Sequence, residues 1–311
     1  MAPRSLLFLF CMAASLARAQ NVSPATPTPG FAEYDAGAAP QIGLQAAKFR
    51  WWAPANVKVR GVLVLVPGRG GDGRGMAGDP NWQALATKIQ FGIVACFLQN
   101  PADNPFQYQN DPNGAVSALV DKAVNAILAQ NKVPLKDPPL AFWGHSAGGN
   151  VTQNYCSRHP DRVVAATLIR CPGGPGGLAP GKESVPMLIC VGQKDKPDWV
   201  KESLANYEKG HALHANWTLA LNPNEGHEVG KTQALASTHI ATAVALRLPA
   251  PMFASESVKP KHLARETCWL GDPSTYEIAN QATFTGKRKD AVWLLDEMTA
   301  KAWQAYLRGG P

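Results

Sequence analysis

Gly144-His145-Ser146-Ala147-Gly148 stands between the apolar run 139–143 and a helix-like stretch that reaches Arg158. The pattern G-x-S-x-G reads as a nucleophile elbow, a strained strand-to-helix turn that lifts a serine hydroxyl above the end of a sheet. Both glycines are needed there, because a side chain at either position would collide with neighbouring backbone. A chain with 28 glycines yields this pattern by chance, so the flanks must decide. Upstream, Pro138-Pro139 bars a helix, and Leu140-Ala141-Phe142-Trp143 has the length and composition of a buried parallel strand. Downstream, 147–158 contains no proline and ends at His159-Pro160, a helix stop. Strand, elbow and helix follow in the required order.

Working outward, Val62-Leu63-Val64-Leu65-Val66 is a central-strand run that ends at Pro67-Gly68 and feeds a glycine-rich loop. The patterns predict a helix over 82–90, a strand over 92–98 and an amphipathic helix over 114–131. After the elbow come strands over 163–169, 185–191 and 216–221, and helices over 199–209 and 232–246. Strands alternating with helices imply an α/β class, with a mostly parallel central sheet covered by helices on both faces. Ligands of such sheets bind beyond the carboxyl ends of the strands, where the elbow lies.

The ends of the chain set the expected domain plan. Arg4, the apolar run 6–16 and Ala17-Arg18-Ala19 form the pattern of a secretory signal at 1–19, cleaved before Gln20. This predicts a secreted or periplasmic protein. Residues 20–43, rich in Ala, Pro, Thr and Gly, are expected to be a flexible leader. A catalytic domain is expected over 44–249, and a C-terminal extension packed on it over 250–311, with a helix over 290–307. No second apolar run is long enough for a membrane span, so no integral membrane segment is expected after cleavage. The net charge of +7, two units of it from Arg4 and Arg18, is spread without a dense basic block and gives no support for nucleic acid. Beyond the signal stand Cys96, Cys156, Cys171, Cys190 and Cys268, an odd number in a compartment that permits disulfides. Cys96, Cys156 and Cys190 fall inside apolar elements and read as buried small hydrophobes. Cys171 with Cys268 is the pairing to test.

A serine hydroxyl needs a base, and the base needs an acid to hold its tautomer. His227, in the polar loop Asn224-Glu225-Gly226-His227 between a strand and the last core helix, is the candidate base; His211, His214, His239 and His262 fit worse. Asp195 follows the strand 185–191, and Asp198 competes with it while also suiting a helix N-terminus. His145 is expected to point away from the base and to support the elbow. An oxyanion hole needs two backbone N–H groups. Ala147 supplies one, and Arg69, with Gly70 as alternative, the other. The glycines at 68–75 lack the Gly-Lys-Ser/Thr of a phosphate loop, and His227-Glu228 lacks the second histidine of a zinc protease. No cofactor and no metal are expected. Trp82 and Trp199 are candidates for an apolar acyl pocket, with core packing the commoner fate of a tryptophan.

Over about 62–246, the PGRGG loop, GHSAGG elbow, VGQKD turn and EGH loop resemble the α/β-hydrolase superfamily, in particular its dienelactone-hydrolase-like and secreted polyester or feruloyl esterase branches. The resemblance implies an α/β-hydrolase fold and a carboxylic ester hydrolase working through an acyl-enzyme. Its chain order of serine, acid, histidine, together with its spacing after the strand, favours Asp195 over Asp198. It implies a small-molecule or polymeric ester as substrate, and a monomer is expected. Ser146 stands where dienelactone hydrolases carry cysteine, so their substrate does not transfer, and PGRGG replaces the HGGG of hormone-sensitive lipases. An acyltransferase on the same fold and a non-catalytic carbohydrate- or polymer-binding relative remain alternatives.

Overall fold

The computed structural model describes residues 30–100, 110–111, 113–173, 184–249 and 258–310. The signal expected at 1–19 lies outside these residues. Eight strands form the main sheet: β1 (Gly30–Ala39), β2 (Leu44–Ala53), β3 (Gly61–Val66), β4 (Phe91–Gln99), β5 (Leu140–His145), β6 (Val163–Ile169), β7 (Met187–Gly192) and β8 (Trp217–Asn222). Their order is β1-β2-β4-β3-β5-β6-β7-β8. From β4 to β8 every pairing is parallel, while β1–β2 and β2–β4 are antiparallel. The expected mostly parallel sheet with helices on both faces is the observed architecture.

β3, β6 and β7 are buried along their whole length, which is why each reads as an unbroken apolar run rather than an alternation. Their side chains still divide between two cores. Val62, Val64 and Val66 join the cluster under α2 (Ala115–Gln130), α3 (Ala147–Arg158) and α4 (Pro197–Ala212). Leu63 and Leu65 join the opposite cluster under α1 (Pro80–Ile89) and α5 (Thr232–Arg247), which the C-terminal α6 (Glu297–Leu307) also enters. Asp79 caps α1 by accepting from the N–H groups of Asn81 and Trp82, with Pro80 as the first helical residue.

Three expectations are corrected. The leader predicted over 20–43 is ordered from Gly30: β1 pairs with β2 from Gly30–Ala53 to Ala39–Leu44, so the described fold begins before Leu44. β2 itself was not anticipated. It buries Phe49 and Trp51 on one face, and Gly92 of β4 leaves the space that the Trp51 ring fills. The helix expected over 290–307 starts only at Glu297, capped by Asp296, because 292–294 is taken into β11 of a small sheet. That sheet has the order β10-β9-β11, with β9 Trp269–Gly271, β10 Ile278–Asn280 and β11 Val292–Leu294. Finally, Cys171 and Cys268 are both free and belong to cores on opposite faces of the main sheet, so the pairing considered for them does not form. Cys171 Sγ instead bonds Asn150 Oδ1 at 2.6 Å, and burial pushes its thiol up to about 12.

Residues 258–310 pack along the outer strand β8. Thr218 Oγ1 donates to the Trp293 carbonyl at 2.7 Å, and Trp303 Nε1 donates to the Leu219 carbonyl at 2.7 Å. An edge strand of the sheet is thereby covered by protein instead of being left open to pairing.

Candidate active site

Ser146 follows β5 directly, with φ 52° and ψ −121°, a conformation that L-residues rarely adopt and that the surroundings must impose. Its N–H donates to the Ile169 carbonyl of β6 at 2.8 Å, and its own carbonyl takes the Gly149 N–H at 2.8 Å. The flanking glycines are spatial necessities. A Cβ on Gly144 would lie 2.5 Å from Thr152 Oγ1, and one on Gly148 would lie 2.5 Å from the Pro67 carbonyl oxygen and nearer still to that of Val66. The elbow therefore sits against the end of β3 with no room for side chains.

Three loops at the carboxyl ends of β5, β7 and β8 bring Ser146, Asp195 and His227 together. His227 Nε2 is 3.0 Å from Ser146 Oγ, and His227 Nδ1 is 2.7 Å from Asp195 Oδ2. The Asp195 side chain is 5% exposed and that of His227 34%, so the acid is sheltered while the imidazole reaches the surface. Asp195 Oδ1 accepts the Lys196 N–H at 2.7 Å, which fixes the carboxylate plane. Asp198, the rival acid, lies in the first turn of α4, where its charge suits the helix N-terminus.

The turn of the candidate acid Asp195 (the acid turn) and the loop of the candidate base His227 (the base loop) are built against each other. The Gln193 N–H bonds the Asn222 carbonyl and the Lys194 N–H bonds the Glu225 carbonyl, both at 2.9 Å. Gly192 makes that approach possible, since a Cβ there would lie 2.6 Å from the Glu225 carbonyl oxygen and closer to that of Gly226. Glu228 Oε1 accepts the Gly226 N–H at 2.9 Å, and that bond holds the Glu228 carboxyl below its ordinary range.

His145 does not point away from the base. Its Nε2–H bonds the His227 carbonyl at 2.8 Å, and the two rings are 5.2 Å apart. Burial lowers its pKa, outweighing that hydrogen bond, which acts to raise it, and keeps it a neutral donor. Trp199 packs its ring 4.7 Å from that of His227, with Lys196 Nζ 4.2 Å from the Trp199 ring centroid. Trp82 is buried in the core, edge-on to Trp143 at 5.7 Å, the packing fate expected as the commoner one for a tryptophan.

For the oxyanion hole, Ala147 is the first residue of α3, where an N–H has no acceptor within the helix. Gly68-Arg69-Gly70-Gly71 forms a turn closed by the Gly71 N–H to the Gly68 carbonyl at 3.0 Å, with Gly70 at φ 73°. A Cβ on Gly68 would be 3.4 Å from Ser146 Cβ, so this turn abuts the nucleophile. The Arg69 side chain is drawn aside to Asn100 Oδ1 at 3.0 Å.

Among solved structures, a bacterial heroin esterase superposes with a TM-score of 0.50 at 15% identity, covering 69% of this chain and 84% of its own. The strand order and the elbow after β5 agree with that likeness. The fold is that of the α/β-hydrolases. An S-formylglutathione hydrolase from Staphylococcus aureus matches with a TM-score of 0.49 at 12% identity, over 72% of this chain and 99% of its own. A ferulic acid esterase matches with a TM-score of 0.49 at 12% identity, over 71% and 99%. No protein-family model matches the sequence, and no curated protein matches it. Among the described residues no helix of this α/β-hydrolase fold is long and apolar enough to cross a membrane, and no group of three or more His, Cys, Asp or Glu could hold a metal ion.

Several residues of the site were not legible beforehand. Arg170 and Tyr306 lie beneath the base loop, bonded to Glu225 within it, and the three are far apart in sequence. Gly192 had a signal, its place at the end of an apolar run in VGQKD, but its reason for being glycine lies 34 residues on, in Gly226.

Proposed function

We propose that this protein is a secreted serine hydrolase that cleaves carboxylic esters through an acyl-enzyme. The observation that carries the reading is the continuous path from Ser146 Oγ to His227 to Asp195, at 3.0 and 2.7 Å, on a strained elbow. Ser146 attacks the ester carbonyl while His227 Nε2 takes its proton. Asp195 holds Nδ1–H toward itself, presenting Nε2 as the base and stabilising the imidazolium that forms. The oxyanion settles against the N–H groups of Ala147 and Arg69. His227 then gives its proton to the departing alcohol, and water repeats the sequence on the acyl-enzyme.

The choice of ester over amide rests on the PGRGG, GHSAGG, VGQKD and EGH resemblance, and the heroin esterase of like fold is by its name an esterase. The signal pattern at 1–19 supports a substrate outside the cytoplasm. A fluorophosphonate probe should label the native protein and fail on Ser146→Ala; equal labelling of both overturns the reading. Turnover of p-nitrophenyl esters, feruloyl esters and polyester films, with and without an added alcohol, then separates hydrolysis from acyl transfer. Sequencing the mature N-terminus from the exported fraction should give Gln20.

A further inference from the structure

Beneath the base loop lies a buried polar network that the proton path itself does not use. Arg170, at φ 52° just after β6, has a fully buried side chain. Its Nε donates to the Glu228 carbonyl at 3.1 Å, and its Nη2 bonds both Glu225 Oε2 and the Tyr306 hydroxyl, the latter at 3.2 Å. The Tyr306 hydroxyl donates in turn to Glu225 Oε2. Burial is the main reason the Tyr306 pKa is pushed up, which keeps the phenol a donor. Glu225 Oε1 accepts the Lys231 N–H at 3.0 Å, so one carboxyl ties together both ends of the segment 225–231. Its main-chain carbonyl holds Lys194 in the acid turn.

The arrangement brackets His227. Glu225 and Glu228 stand on either side of Gly226-His227, and Arg170 grips one by its carboxyl and the other by its carbonyl. Tyr306 comes from α6, in the C-terminal segment, and its ring belongs to the core under that helix. The ring serves packing, but a phenylalanine would do the same. The hydroxyl does something else. A buried ion pair adds little net stability, because its attraction is spent against desolvation, whereas its directional bonds fix geometry. Orientation matters here, because displacing a catalytic group by about 1 Å costs on the order of 100-fold in rate.

We propose that Tyr306, Arg170 and Glu225 are positioning residues for His227, so that the C-terminal helix sets the base relative to Ser146 and Asp195. The inference rests on the reading of His227 as the base. The test uses the full chain, with p-nitrophenyl ester turnover divided by the number of sites titrated with a fluorophosphonate. Tyr306→Phe should lower kcat per titrated site about tenfold, with KM within about twofold, and should label to full stoichiometry but more slowly. Glu225→Gln should lower kcat per site further, and Lys301→Ala, on the exposed side of α6, should leave it unchanged. Tyr306→Phe with wild-type kcat per site, and only a lower melting temperature or fewer titratable sites, overturns the proposal and leaves α6 a packing layer. If Glu225→Gln fails to fold, Tyr306→Phe alone decides. Undiminished labelling of Ser146→Ala would instead overturn the reading of the active site, and this inference with it.

Discussion

The elbow and the base loop carry the two halves of the proposed proton path, yet they are held in place by different means. The elbow is one continuous stretch of sequence, β5, Ser146 and α3, seated directly on the ends of the adjacent strands β3 and β6, with Gly144 and Gly148 clearing the space around it. The base loop between β8 and α5 closes on itself only through the Gly226 N–H to Glu228 and the Lys231 N–H to Glu225, and its seat comes from distant parts of the chain. It leans on Lys194 in the acid turn, His145 in the elbow, Arg170 after β6 and Tyr306 near the end of the chain. A nucleophile can thus be specified locally, while a base that must meet it from another strand is specified by the whole sheet.

The sharpest way to break this comparison is at the joint between the halves. Asp195→Asn should lower kcat by about 10⁴-fold, because the amide favours the wrong imidazole tautomer. Asp198→Asn, which alters only a charge in the first turn of α4, should stay within about twofold in kcat and lose at most about 1 kcal/mol of stability. Steady-state kinetics and urea unfolding of the two variants check this. Reversal of their order would return Asp198 as the acid.

The locally built half comes next. Gly148→Ala should lower kcat/KM by about 10³-fold and stability by roughly 1–3 kcal/mol, since the added methyl must push either the elbow or the end of β3. Gly192→Ala probes the other half: its methyl meets the Glu225 and Gly226 carbonyls, shifts the base loop and should cost on the order of 100-fold in kcat. The fluorophosphonate reaction separates the two, since Ser146 keeps its own conformation in Gly192→Ala and should label slowly but completely. Equal residual rates would mean that the loop, like the elbow, is set by its nearest neighbours.

The same contrast explains what could be read from the residues alone. β3, β5, β6 and the elbow were legible because buried parallel strands are apolar runs and a G-x-S-x-G turn states its own constraint. His227 was legible as a histidine in a polar loop before the last core helix. β1 was not, because Gly30–Ala39 is an edge strand rich in Ala and Gly whose only strand partner among the described residues is β2. The small sheet of the C-terminal segment escaped because its strands have three residues each, too short to show a period. Arg170 escaped because nothing near Cys171 in sequence says that a guanidinium is needed 55 residues from Glu225 and 136 from Tyr306.

The smallest effect expected on catalysis, and the one that tests whether the two halves differ in stability, concerns acid. His239 lies in α5, the helix that follows the base loop. It is fully buried, its Nε2–H faces the Pro186 carbonyl at 3.4 Å, and its Nδ1 has no partner among the described residues. Burial lowers its pKa from 6.5 to about 4, against smaller opposing effects from the Pro186 carbonyl and Asp296. The folded state therefore refuses a proton that the unfolded chain accepts below about pH 6.5, so the unfolded state binds more protons across that window and stability falls as pH falls. The contribution is present in full above pH 6.5 and is lost toward pH 4, amounting to about 3 kcal/mol. Urea unfolding of wild type and His239→Gln at pH 7 and pH 4.5 should show a smaller loss on acidification in the variant, because carboxylates common to both cancel in the difference. Hydrogen exchange at pH 4.5 should then find α5 opening before α3. Exchange that begins in α3 would mean that the elbow, for all its local definition, is the weaker half.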